Sequence, residues 1–170
     1  MDNAETALPK RKHARLKHYD YSTTGAYFVT ICTKNKRPML SAIVGRGLAP
    51  AVELTPLGKI AEEQIFLLEE RFPFIIIDDY VIMPNHIHAI IILKNQAAGA
   101  SPRPTLTDII CAYKSLTTRE CKKVATAELE LFQTSFYEHV IRNKHDHDAI
   151  VKYIYENPMN WAYDKHYQDI

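Results

Sequence analysis

Residues 80–93 constrain this chain more than any other stretch: Tyr80-Val81-Ile82-Met83-Pro84-Asn85-His86-Ile87-His88, followed by Ala89-Ile90-Ile91-Ile92-Leu93. The segment reads as a β-strand, and successive side chains on a strand point to opposite faces. His86 and His88 therefore share one face, with Ile87 turned to the other. Residues 89–93 are apolar enough to be buried on both faces. Two imidazoles at the mouth of such a strand carry a desolvation cost unless something compensates them. Gripping one divalent metal ion together is one compensation; bonds from each ring to neighbouring backbone groups are the other.

The rest of the chain is read around that strand. With 170 residues, 46% of them hydrophobic, it fits one compact domain with a sizeable core. The formal net charge of +1 gives no global field that would draw nucleic acid. Charge is local instead. Lys10, Arg11, Lys12, Arg15 and Lys17 crowd the first 20 residues, which are polar, lack an apolar period and are expected to form a basic arm preceding a single domain over 21–170. The arm is either solvated or tracks phosphates, with Tyr19 and Tyr21 able to stack on bases. Cys32, Cys111 and Cys121 are an odd number without zinc spacing, which favours a reduced protein over a disulfide framework. With no apolar run of membrane-spanning length and no signal-peptide core after the basic residues, a cytoplasmic protein, associated with the nucleoid, is expected.

Element order follows from periodicity. Residues 25–33, rich in β-branched and aromatic side chains, predict a strand closed by a basic turn at 34–38. An irregular or hairpin segment runs through Gly45, Gly47 and Pro50. Thr55-Pro56 opens a helix, Thr as N-cap and Pro at the first helical position, with a buried stripe of Leu57, Ile60, Ala61, Ile65 and Leu68 and glutamates opposite. Residues 74–83 lead into the His strand as one bent strand or a hairpin. After a loop over 94–104, a helix capped by Thr105 or Thr107 spans 106–124 on a stripe of Leu106, Ile109, Ile110, Tyr113 and Leu116. Lys114, Arg119, Lys122 and Lys123 lie off that stripe, where they are either solvated or face a phosphate backbone. Residues 131–141 predict a final strand, and a helix from Asn143 or Asp146 ends before Pro158. Strand, helix, strand, strand, helix, strand, helix is the order of an α+β, ferredoxin-like sandwich: an antiparallel sheet with helices packed mainly on one face.

In the last helix Tyr153 and Asn157 stand four apart and share a face. A tyrosine has a reference pKa of about 10, so it becomes a usable nucleophile only beside a cation that polarises the group attacked. An amide oxygen four residues on could complete a hard-metal site begun by two imidazoles. A core-edge aromatic and a helix C-cap would use the same residues. Tyr155 points roughly 200° around the helix from Tyr153 and cannot serve the same face.

Several motifs together resemble a known family. The His-hydrophobic-His strand after Met83-Pro84-Asn85 is joined by the segment from Phe136 to Arg142 and by Tyr153-Ile154-x-x-Asn157-Pro158. With Arg15-Leu16-Lys17-x-Tyr19-Asp20-Tyr21-Ser22 and Gly25 to Thr30, these are similar to single-tyrosine HUH transposases of the REP-associated tyrosine transposase branch. The likeness runs from about residue 15 to residue 161. It implies a ferredoxin-like sandwich, His86 and His88 as metal ligands, and Mg²⁺ or Mn²⁺ as the metal. Tyr153 would be the nucleophile that attacks a DNA phosphodiester and leaves a 5′-phosphotyrosine with a free 3′-hydroxyl. Asn157 occupies the place of a metal-binding glutamine in related transposases, with a shorter side chain. The implied partner is single-stranded DNA folded into imperfect hairpins, handled by one chain or by a homodimer that exchanges tyrosine helices.

Two other classes compete with this expectation. A domesticated module would bind DNA hairpins without cutting them. An RNA-binding or purely structural sandwich would leave the His pair and the tyrosine without a joint purpose. His139 is expected to be structural or to touch DNA rather than to bind metal, His145 and His147 to face solvent, and Trp161 and Tyr163 to pack back on the core.

Overall fold

The computed structural model describes residues 23–45, 51–95 and 104–163. The basic arm over 1–20 lies outside them, as do the Gly47 and Pro50 turn and most of the loop after residue 95.

Strands β1 (Gly25–Cys32), β4 (Ile75–Ile82), β5 (His86–Leu93) and β6 (Tyr137–Ile141) form one sheet in the order β4-β5-β1-β6, every neighbouring pair antiparallel. Helices α1 (Pro56–Arg71) and α2 (Leu106–Val124) are the crossovers between β1 and β4 and between β5 and β6, and α3 (Lys144–Glu156) follows β6. This is the ferredoxin-like sandwich, with a small hairpin, β2 (Ser41–Val44) and β3 (Ala51–Leu54), inserted before α1.

β5 lies inside the sheet because its side chains are apolar on both faces, and it is buried almost throughout. Its Ile87, Ala89, Ile91 and Leu93 join Tyr27, Val29 and Ile31 of β1 beneath α1 and α2 in the main core. The opposite face carries a smaller cluster in which Phe28, Ile90 and Ile154 are buried, with Ile150 and Val151 of α3 half-buried against it. Two helices thus cover one face and α3 crosses the other.

Local chemistry sets the boundaries. Thr55 caps α1 by accepting from the Gly58 amide, with Pro56 at the first position. Thr105, not Thr107, caps α2 in a reciprocal capping box with Asp108. Asn143, not Asp146, caps α3, its side chain accepting from the Asp146 amide. Residues 75–93 are a hairpin rather than one bent strand, with a bulge that leaves Asp78 as the extra residue between Ile77 and Asp79.

Four expectations are corrected. The final strand is β6 alone, not 131–141. Thr30 pairs with Tyr137 and Thr33 with Phe132, so three steps on β1 face five on the returning chain, and the ladder breaks between them. Leu131 is drawn into the main core while the Gln133 amide donates to the Cys32 carbonyl, which pins this stretch across the end of β1. In α1, Gly58 and Gln64 are buried where Leu57 and Ile60 are only half-buried, because the helix start presses on the β2 entry: a Cβ on Gly58 would lie 1.9 Å from the Leu40 carbonyl oxygen. Its glutamates do not all face water. Glu62 accepts from the Tyr80 hydroxyl at 3.0 Å and Glu69 from the Ile77 amide at 2.7 Å, which ties α1 to β4. The Tyr80 hydroxyl is pushed up to about 12, by burial first and then by Glu62. On α2 the buried stripe runs from Tyr113 through Thr117 and Cys121, not through Leu116; Thr117 is tolerated there because its hydroxyl donates to the Tyr113 carbonyl.

Candidate active site

His86 and His88 open β5 on the face crossed by α3, and both rings are buried. Each is held through Nδ1. The Asn85 side-chain oxygen lies 2.9 Å from Nδ1 of His86, and the Thr30 hydroxyl 2.9 Å from Nδ1 of His88. Asn85 is in turn fixed by donating to the Lys36 carbonyl and by the Thr33 hydroxyl on its own carbonyl. Thr30 stands directly across the ladder from His88. A ring fixed at Nδ1 offers Nε2 as its coordinating atom, the usual outer-shell arrangement for metal-binding histidines. The ring centroids are 4.4 Å apart.

Tyr153 comes from the last turn of α3. Its hydroxyl lies 3.3 Å from Nε2 of His88, and its ring packs edge-on against Phe28 at 6.1 Å. It is 38% exposed, whereas Tyr155 is 79% exposed and turned away. Residues 146, 150, 153 and 157 form one stripe of α3, and all four line a cleft of about 490 Å³ with Phe28, His139 and Asn160. Asn157 is buried and stands at the helix C-cap. Trp161 packs toward His86, ring centroids 5.9 Å apart, while Tyr163 stays 89% exposed rather than folding onto the core.

The donor set fits a divalent cation in chemistry. Two buried imidazoles with anchored Nδ1 atoms and a buried amide in the adjoining cleft supply nitrogen and neutral oxygen. Among the described residues no three His, Cys, Asp or Glu side chains form a metal-binding group, so oxygens from substrate and water would fill the remaining positions.

Of the other histidines, His147 departs from expectation. His147 is not solvent-facing: its Nε2 is 2.6 Å from Asp78 on the β4 bulge, and its Nδ1 is 3.5 Å from Asp148. The Asp78 bond chiefly raises the His147 pKa, with burial opposing it and Asp148 adding to it. His139 on β6 bonds Asp146 at 2.9 Å, and that bond chiefly lowers the Asp146 carboxyl below its ordinary value. His145 is exposed.

The basic residues of α2 do not gather at the tyrosine. α2 lies on the opposite face of the sheet. There Lys114 donates to the Thr134 carbonyl at 2.8 Å, and partial burial lowers its pKa. Arg119 and Lys123 both pair with Glu120, and Lys122 is exposed. Arg11, Lys12, Arg15 and Lys17 lie outside the described residues.

Thr30, Asn85, Asp78 and Asp146 are the residues that sequence reasoning missed. Asn85 was signalled by its place beside His86, but Thr30 and Asp78 act across strand pairing and a bulge that no local pattern announces.

Known proteins bear on this site. An uncharacterized protein of Haemophilus influenzae is 32% identical over 174 residues, spanning 94% of each chain. The REP-associated tyrosine transposase of Escherichia coli K12 is 28% identical over 152 residues, 88% of this chain and 75% of that protein. The chain is homologous to the REP-associated tyrosine transposases. The solved structure of a REP-associated tyrosine transposase bound to a REP hairpin has the same fold, with a TM-score of 0.62 at 24% identity over 89% of this chain and 77% of that one. No family model matches the chain. Among the described residues no helix is long and apolar enough to cross a membrane.

Proposed function

We propose that this transposase homologue cleaves and rejoins single-stranded DNA folded into imperfect hairpins, with Tyr153 as nucleophile. The observation that carries the reading is the 3.3 Å contact between the Tyr153 hydroxyl and Nε2 of His88, made within one chain while Tyr155 points to solvent. The REP hairpin bound by the structural relative supports a hairpin as the DNA partner.

The Tyr153 oxygen forms a bond to the scissile phosphorus as the bond from phosphorus to the 3′ oxygen breaks. The phenol gives up its proton and the departing 3′ oxygen gains one. One strand end leaves as a 3′-hydroxyl and the other stays as a 5′-phosphotyrosine. Because no water is consumed, a 3′-hydroxyl can attack the phosphotyrosine and restore a phosphodiester. His86 and His88, with Asn157, would hold Mg²⁺ or Mn²⁺, which when bound supplies Lewis-acid polarisation of the phosphate and offsets its developing charge. Thr30 and Asn85 hold the imidazoles in one orientation. Phe28 braces the tyrosine ring, and the cleft beside it offers room for the strand. One chain supplies His86, His88 and Tyr153, which supports cleavage by a monomer over a homodimer exchanging helices.

Labelled hairpin DNA from the flanks of the gene, incubated with Mn²⁺ or Mg²⁺, is expected to give a covalent protein–DNA adduct. Chelator, His88→Ala and Tyr153→Phe should each abolish it. Hairpin binding with no adduct under either metal would instead make the chain a domesticated hairpin-binding protein.

A further inference from the structure

α3 carries Tyr153 but is weakly held by apolar packing: only Ile154 of its residues is fully buried. Its first turn is fastened by polar bonds instead. Asp146 and His147 are consecutive, about 100° apart around the helix, and they reach opposite edges of the sheet. His147 bonds Asp78 on β4 at 2.6 Å, and Asp146 bonds His139 on β6 at 2.9 Å. β4 and β6 are the two outer strands, with β5 and β1 between them.

These bonds are set up by features otherwise unexplained. The β4 bulge inserts Asp78 as an extra residue on the edge strand. The Asp146 carboxylate also accepts from the Arg142 amide, while the Asp146 backbone amide donates to the Asn143 side chain, so the residue is fixed by three bonds. Asp146 belongs to the same stripe as Tyr153, two turns away, whereas His147 belongs to the neighbouring stripe with Val151 and Ile154. Two ties on adjacent stripes to opposite edges resist both tilt of the helix and rotation about its axis. Either motion would carry the Tyr153 hydroxyl off His88, since a small swing at the first turn is transmitted along a rigid helix.

We propose that Asp78 with His147, and His139 with Asp146, are positioning residues that aim Tyr153 at the His pair. This rests on the reading of Tyr153 as nucleophile. On this proposal each of the four acts through the orientation of α3 rather than on the reacting phosphate.

The test uses the full chain labelled with 3-fluorotyrosine, the Tyr153 resonance being the one that Tyr153→Phe removes. Asp78→Asn and His139→Gln should each shift or broaden that resonance and slow single-turnover adduct formation roughly tenfold, as misplaced groups do. Hairpin affinity of Asp78→Asn should stay within about twofold, because Asp78 lies outside the cleft that would receive the strand. Exchanging the partners, Asp78→His with His147→Asp, should restore resonance and rate together. An unmoved resonance with an unchanged rate in both single variants would overturn the proposal, as would a well-folded exchange variant that recovers neither. If the wild type gives no adduct, the proposed function falls and the fluorine resonance alone decides the anchoring.

Discussion

The two faces of the sheet are built to different ends. On one, α1 and α2 lie on a continuous apolar layer from β1, β4 and β5, and the buried Tyr113 hydroxyl donates to the Ala61 carbonyl at 3.0 Å. On the other, a single helix covers a three-residue buried cluster, and the space it leaves holds two buried histidines, a half-exposed tyrosine and a cleft. Stability resides on the crowded face, and the proposed chemistry belongs to the sparse one. A site needs room for a strand and for a moving tyrosine, and dense packing would deny both. The sparse face therefore orients its helix with directional bonds, where the crowded face uses volume.

That division can be broken by substitution. Tyr153→Phe should lower adduct formation by more than about a thousandfold, with thermal stability near wild type because the ring and its Phe28 contact remain. Tyr155→Phe should leave the rate unchanged. Ile91→Ala, on the crowded face, should cost about 2–5 kcal/mol in denaturant unfolding. Ile150→Ala, half-buried on the sparse face, should cost only about 1 kcal/mol. Equal losses at the two positions would erase the comparison. Gly58→Ala should cost about 1–3 kcal/mol, because its Cβ meets backbone rather than a side chain that can move aside.

The smallest effect is on pH. His147 is faced by Asp78 from β4 and by Asp148 on its own helix, Asp148 being shared with Lys144. Asp79, beside Asp78, is turned to the Tyr80 amide. Because these carboxylates raise the folded-state pKa of His147 above its unfolded value, the stabilisation is complete below the unfolded value. It is lost as pH rises through the raised one. The pair is about one-third exposed, so screening limits the loss to under about 1 kcal/mol. Melting temperature followed against pH should show this step in the wild type and lack it in Asp78→Asn.

Much of this architecture was legible in the sequence. The order of elements, the Thr55-Pro56 helix start and the doubly apolar run from Ala89 to Leu93 followed from local propensity and periodicity. So did the common face of His86 and His88, and the separation of Tyr153 from Tyr155. Long-range contacts were not legible. That β1 would bring Thr30 opposite His88, that a bulge would present Asp78 to His147, and that the chain after Leu131 would cross the end of β1 all depend on register. Single-residue patterns are silent on register. The basic residues of α2 show a related limit: a helical period separates apolar from polar faces but does not say on which side of the sheet the helix will lie.

The central claim is that the sparse face presents Tyr153, and no other tyrosine, for covalent attachment to DNA. Digesting the adduct with trypsin and a nuclease would isolate the peptide from Tyr153 to Lys165, which contains Tyr153, Tyr155 and Tyr163. Fragmentation in the mass spectrometer would then place the residual nucleotide. The account predicts that it is carried on Tyr153. A nucleotide on Tyr155 or Tyr163, or on a tyrosine elsewhere in the chain, would contradict it.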